Sequence, residues 1–386
     1  MLHLLLAIIY LAFISLGLPD SLLGSAWPTM YGPFGVPVSY AGILSAIISA
    51  GTITSSLLND WLTHKLGTGK LTAISVVTTA LALLGFSATG SFWVLCLLAV
   101  PLGLGAGRVV ASLNNYVALH YASRHMSWLH CMWGVGASIG PYIMSYALAA
   151  GRGWNGGYRI IGLLQLALSA VLFLSLPLWK KRPGAGGSGE EASAPLTPVQ
   201  ILRIPGAAQI LLTFFCYCAI ETTAGLWASS YLVLHKGVDA QTAASFASLF
   251  YIGITAGRAV SGFLTMRLTD TQMIRLGFGV IALGIAAMLL PLGTVVSCAG
   301  LILIGLGCAP VYPCIIHSTP AHFGPERSQA LIGVQMASAY TGTLLMPPVF
   351  GFLANHIHVS LLPLFLAALL VLMTMMHERM LKKCAK

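Results

Sequence analysis

The stretch S-L-G-L-P-D-S-L-L-G-S-A-W-P-T-M, Ser15 to Met30, decides how the chain is read, because it sets a carboxylate, Asp20, inside an otherwise oily run. In a soluble protein Asp20 would be a turn residue or a helix cap. The surrounding composition places it elsewhere. Hydrophobic residues make up 57% of 386, mean hydropathy is +0.88, and only 7% of residues are charged. An ordinary soluble domain carries roughly a quarter, so this chain lacks the charge to cover a globular surface and must meet lipid. Gly and Pro punctuate the apolar runs and regular polar/apolar alternation is scarce, which predicts helices rather than a barrel.

Apolar stretches long enough to cross a hydrocarbon layer of about 30 Å recur throughout. They fall near 4–30, 36–59, 71–90, 92–119, 128–150, 158–179, 208–234, 241–265, 273–293, 295–317, 328–354 and 359–377. The expected fold class is therefore an all-α polytopic membrane protein with twelve transmembrane helices. The first span has no basic leader and no small-residue cleavage site, so it reads as a retained helix. The eight cysteines lie mainly inside apolar runs without metal-ligand spacing and read as buried small hydrophobes.

Lys and Arg distribute unevenly on the two sides of these spans. One side holds fourteen, from Lys65 and Lys70 to Lys386; the other holds Arg152, Arg159 and Lys236, and Arg108 and Arg258 sit within spans. This bias places both termini in the cytoplasm; the expected location is the cytoplasmic (inner) membrane of a bacterium. The net charge of +10 is then a topogenic signal spread over short loops, and no nucleic-acid partner is needed to explain it.

Residues 180–207 form the one long polar stretch, with a basic start, a Gly/Ser centre and the acidic pair Glu190-Glu191. They read as a cytoplasmic linker, with a short interfacial helix near 198–204. The linker divides the chain into a six-helix bundle over 1–179 and a second over 208–386. The halves echo each other. Asp20, Gly24 and Trp27 resemble Glu221, Gly225 and Trp227 at an offset of 201 for the acid. L-T-H-K-L at 62–66 resembles L-T-M-R-L at 264–268, and G-L-G at 103–105 recurs at 305–307, both at 202; G-A-S-I-G-P at 136–141 resembles G-T-L-L-M-P at 342–347, at 206. Four ordered pairs argue for a duplicated unit, and a duplicated helical membrane body suggests alternating access around a central cavity.

Asp20 and Glu221 are the two acids inside spans, at repeat-related positions. A buried carboxylate must take a proton or find a partner, so both are candidates for proton coupling; a water-exposed helix end is the competing reading of Asp20. Arg108, in G-A-G-R-V-V, either pairs with Asp20, receives an anionic group or latches helices together. Asn114 and Asn115 follow it. His130 and Trp133, with Trp128, form a polar and aromatic cluster that suits a sugar-ring face, although Trp near a boundary also anchors to the interface. Gln165, Trp227, Tyr231, Tyr251, Tyr312, Gln335 and Tyr340 complete the candidate solute contacts, with ordinary interhelical hydrogen bonds as the alternative for many. Arg258 lies near a cytoplasmic end and reads as a gating or structural residue, as does Arg267. No P-loop, paired metal-binding acids, zinc cluster or supported nucleophile triad is present in the sequence. The chain is thus expected to be neither an ATP-driven pump nor an enzyme, and to need no cofactor or metal.

The six-plus-six plan and N-D-W-L-T-H-K-L-G-T-G-K, residues 59–70, resemble the major facilitator superfamily and its loop between spans two and three. Asp60, Lys65, Gly67 and Lys70 fit that gating pattern, whose opening Gly is replaced here. The resemblance implies secondary transport by a monomeric unit. Within the superfamily the chain looks most like the fucose/proton symporter group: Asp20 in P-D-S-L-L, F-C-Y ahead of Glu221, and P-V-F-G at 348–351 match it. Span four departs, offering Arg108, Val110 and Asn114-Asn115 where that group has an acid before Asn-Pro. The implied function is proton-coupled uptake of a small polar solute, a sugar, with sodium as an alternative ion. A proton-coupled drug or metabolite exporter is the runner-up and a nontransporting sensor the third class.

Overall fold

The computed structural model describes residues 2–57, 59–120, 123–179 and 198–384. Among these, every regular element is helical. The chain runs through α1 (Leu2–Asp20), α2 (Leu22–Met30), α3 (Tyr40–Leu57), α4 (Asn59–Leu66), α5 (Thr68–Ala88), α6 (Phe92–His120), α7 (Ser123–Ala149) and α8 (Gly153–Leu174). It continues with α9 (Pro198–Leu202), α10 (Ala207–Leu234), α11 (Ala240–Leu264), α12 (Asp270–Leu289), α13 (Thr294–Cys308), α14 (Val311–Phe323), α15 (Pro325–His356) and α16 (Leu362–Cys384). A short helix, α9, lies within the interval 198–204 where one was expected, and residues 180–197 of the expected linker lie outside the described residues.

A helix lies over each of the twelve expected intervals, and nine segments among the described residues are long and apolar enough to cross a membrane. The other three intervals belong to α3, α7 and α15. Hydroxyl side chains dilute α3 (Ser45, Ser49, Thr52, Thr54, Ser55), and α7 and α15 open on the polar runs S-R-H-M-S and P-E-R-S-Q. Apolar side chains on the outer faces are bare, Leu97 at 71% and Leu283 at 63% exposure, as a lipid-facing surface requires.

The expected first span is broken. Pro19 sits in the last turn of α1, and a turn at Ser21 separates it from α2. Proline has no N–H to give the carbonyl four residues back, which here is that of Ser15.

Contacts group the chain into two compact units, Met1–Gly187 with Ala228–Ser248, and Ser188–Trp227 with Leu249–Lys386. The same helix packing recurs within each. In the first, α3 and α6 press so closely that a Cβ on Gly103 would run into the Ile48 carbonyl, and one on Gly51 into Leu104 N and Val100 O. In the second, Gly305 stands in the same way against the Phe250 carbonyl, and Gly253 against Leu306 N and Ile302 O. Every member of these contacts is displaced by 202. Gly105 against Ser75 and Thr79 of α5 returns as Gly307 against Gly277 and Ile281 of α12, again at 202. Gly136 of α7 against the Ile14 carbonyl returns as Gly342 of α15 against the Phe215 carbonyl, at 206 and 201. Small residues that let backbones touch are how membrane helices associate where no hydrophobic force acts between them. The duplication therefore reaches down to which carbonyl each glycine meets.

Candidate functional site

In the first unit the site grows from one seam of α1. Tyr10, Phe13, Gly17 and Asp20, spaced three, four and three residues apart, share a face that meets α7. Gly17 lies against Trp133 O and Ala137 N, Gly136 against Ile14 O, and Gly140 against Ser21 Oγ and Leu18 O. This glycine-lined approach carries the side chains into register. Trp133 Nε1 donates to Asp20 Oδ2 at 2.7 Å. One turn earlier, His130 stands edge-on to Phe13 with ring centroids 5.9 Å apart. At the start of α7 the Tyr10 hydroxyl and His125 Nδ1 are 3.0 Å apart. Asp20 is exposed by surface area and Trp133 and His130 are half-buried, and the donor to the carboxylate is a neutral indole. His125 and Tyr10 were not singled out in the sequence, although the spacing along α1 carried the signal.

Arg108 does not pair with Asp20. Gly107 beside it faces α3 and Gly105 faces α5, and Arg108 itself is half-buried. Its Nε is buried and makes no hydrogen bond. Asn114, half-buried, leaves Oδ1 without a partner. The side chains of Asp60 and Asn115 lie outside those described.

Gln165 is spent within the protein. Its Nε2 donates to Ser15 O at 2.8 Å, the carbonyl that Pro19 leaves without a helical donor. Its Oε1 accepts from Thr79 Oγ1 at 2.8 Å. The buried amide patches the α1 break and offers nothing to a solute. Tyr231 is buried against His235, with Lys236 Nζ 5.8 Å from its ring centroid.

In the second unit Glu221 of α10 accepts a hydrogen bond from the Tyr217 hydroxyl one turn before it. The rings of Phe214, Tyr217 and Tyr312 cluster there, with centroids 5.1 to 6.3 Å apart, and the Tyr312 hydroxyl reaches Met336 Sδ at 3.5 Å. Arg258 of α11 acts electrostatically on Tyr217, Cys308 and Tyr312. Arg258 itself is half-buried. Tyr340 is half-buried. Trp227 is buried and donates from Nε1 to Pro347 O at 3.1 Å; Gln335 is buried against Thr319, with Nε2 3.1 Å from Oγ1. The Trp227 indole thereby spends its single N–H inside the protein.

Among the gating candidates, Lys65 and Arg267 are exposed. Gly67 precedes α5 with φ +76°, a left-handed conformation that glycine adopts without strain, so the loop requires the glycine that the resemblance matched. Beyond Arg267, Thr269 and Gln272 form a capping box on α12, and the first residue of that helix, Asp270, meets His317 at 2.6 Å. No group of three or more His, Cys, Asp or Glu able to hold a metal occurs among the described residues.

Against known proteins, residues 9–316 match the model of the Major Facilitator Superfamily. Bypass of stop codon protein 6 of Saccharomyces cerevisiae is 25% identical over 288 residues, 67% of this chain and 56% of that protein, so the chain spans little over half of that relative's length. A probable nitrate/nitrite antiporter of Thermus thermophilus is 25% identical over 86% of this chain and 82% of its own length. A glucose/mannose transporter of Bacillus subtilis is 21% identical over 79% and 77%. The solved structure of the nucleoside transporter NupG superposes with a TM-score of 0.79 at 15% identity, covering 96% of this chain and 98% of that one, which is a likeness of fold.

Proposed function

The chain belongs to the Major Facilitator Superfamily, a family of membrane transporters rather than enzymes, and on that premise we propose that it is a proton-coupled importer of a sugar-like solute. Secondary-active transport of a small molecule across a lipid bilayer follows from the family. The proposal adds the ion, the direction and the solute. It also takes the twelve intervals as twelve spans in two six-helix bundles, 1–179 and 208–386, with both termini in the cytoplasm of a bacterium.

The observation that carries it is the pair of repeat-related carboxylates held by aromatic donors, Asp20 by Trp133 and Glu221 by Tyr217. A carboxylate bonded to a neutral donor changes the net charge of its surroundings when it takes a proton. Burying that charge is costly, so protonation changes the relative free energies of the conformations that bury or expose it, and a ligand or ion shifts populations only through such a difference. The rings beside Glu221 supply a flat apolar surface and hydroxyls, the combination that suits a sugar, and one relative is named for glucose and mannose. The transport test uses vesicles containing the purified protein, an imposed pH gradient and a mixed sugar panel. Gradient-driven accumulation of one sugar, lost in D20N and E221Q while counterflow persists, is expected; equal accumulation without any ion gradient overturns the coupling.

A second reading, uptake of a small anion, is favoured by the charge of Arg258, which acts on Tyr217, and by the relative named for nitrate and nitrite. Competition by nitrate and small carboxylates in the same vesicles separates the two.

A further inference from the structure

The two units differ at one interface. In the first, α5 and α8 close on each other: Gly162 seats the Leu84 side chain, and Thr79 bonds Gln165 across the seam. The repeat relates α5 to α12, and the last helix of the second unit is α16. Between α12 and α16 the structure leaves a lateral groove of about 440 Å³. Gly279 and Ala282 form one wall and Leu370, Val371 and Met375 the other. A Cβ on Gly279 would meet nothing within 4 Å. The one hydroxyl on the lining, that of Thr374, is spent on Leu370 O, so the groove takes hydrocarbon. Its rim is continuous with the bare apolar surface, Leu283 and Val371 being 63% and 56% exposed.

Arg275 closes one end of the groove. Its Nε and Nη2 bind Glu378 Oε1 and Oε2, each at 2.7 Å. A guanidinium carries five N–H donors, and this side chain is 54% exposed, so its remaining donors face outward. Lys382 lies one turn beyond Glu378 and two beyond Met375 along α16, exposed, and acts on Glu378 electrostatically. The groove thus has a hydrocarbon channel and a cationic mouth at the same end of both helices. We infer that it is a binding site for one anionic glycerophospholipid, an acyl chain lying along Gly279 and Ala282 and the phosphate meeting Arg275 and Lys382. Guanidinium recognition of phosphate and attraction of anionic headgroups by basic residues at the membrane surface supply the selectivity.

The test is native mass spectrometry of the delipidated full chain titrated with phosphatidylglycerol or phosphatidylcholine. One phosphatidylglycerol should be retained per chain in preference to phosphatidylcholine. G279L fills open space without a clash and should weaken both lipids about ten-fold, the cost of excluding roughly two methylenes. A282L fills the opposite end of the same wall and serves if G279L does not fold. R275Q should reduce the phosphatidylglycerol preference about five-fold, the worth of one cation at a membrane surface, and leave phosphatidylcholine unchanged. Unaltered lipid retention in both groove-filling variants overturns the inference. So does a high yield of disulfide-linked dimer from V371C in the bilayer, which would make a second copy of the chain the occupant.

Discussion

Replacing Gln165 by Leu should damage stability and leave solute recognition alone. The amide joins three helices: Nε2 supplies the donor that Pro19 withholds from the Ser15 carbonyl, and Oε1 accepts from Thr79. Thr79 can turn its single hydroxyl proton to Val76 O, so the uncompensated loss in Q165L is the buried Ser15 carbonyl. An unsatisfied buried acceptor costs about 1–3 kcal/mol. Pro19→Ala restores an N–H four residues beyond Ser15 and should recover part of that cost. Thermal and denaturant unfolding of P19A, Q165L and the double variant in detergent give the cycle, with an expected coupling of about 1 kcal/mol, the scale of interhelical hydrogen bonds in membranes. In parallel, the transport KM of Q165L for its best solute should stay within about two-fold of wild type, since no contact with solute is lost. Zero coupling between the two positions, or a raised KM with unchanged stability, refutes the patching role and returns Gln165 to the cavity.

Four further outcomes follow from other contacts. W133F removes the donor from Asp20 and should lower gradient-driven uptake about ten-fold, the worth of a hydrogen bond to a charged group, while counterflow is retained; unchanged uptake argues against Asp20 in coupling. G103A and G305A, facing equivalent carbonyls, should each destabilise the fold by about 1–3 kcal/mol of overpacking, and tolerance of either in thermal melts contradicts the shared packing. H377L should raise stability by about 1 kcal/mol, because the imidazole is fully buried against Phe278 with neither nitrogen bonded. Asp239 caps α11 by accepting from Thr242 N at 2.9 Å, and hydrogen bonds from the Thr242 side chain and then its backbone hold the carboxyl below the usual range. That stabilisation is present above the ordinary carboxylate pKa and is lost as pH falls through the lowered one, so D239A should cost about 1 kcal/mol near neutrality and nothing in strong acid.

The helices were legible because lipid imposes length and apolarity on any segment that crosses it. The repeat was legible because glycine–carbonyl contacts cannot shift by a residue without collision, and the offsets 201, 202 and 206 reappear as packing partners. Tyr10 could have been placed by counting, since Tyr10, Phe13, Gly17 and Asp20 fall on one face of α1. Gln165 could not, because its partners at Ser15 and Thr79 are brought to it by two other helices, and only the three-dimensional arrangement shows that Pro19 creates the vacancy it fills. The Pro347 carbonyl that takes the Trp227 indole is likewise invisible in the sequence. A polar side chain in a span must bond something, and sequence alone does not say whether that is solute or a neighbouring helix.

The seam along α1 has a mechanical consequence. Tyr10 and Asp20 are ten residues apart, about 15 Å of rigid rod, and Gly17 between them meets the α7 backbone with no slack. A roll of α1 that loosened the carboxylate from its indole would swing the phenol away from its imidazole in the same stroke.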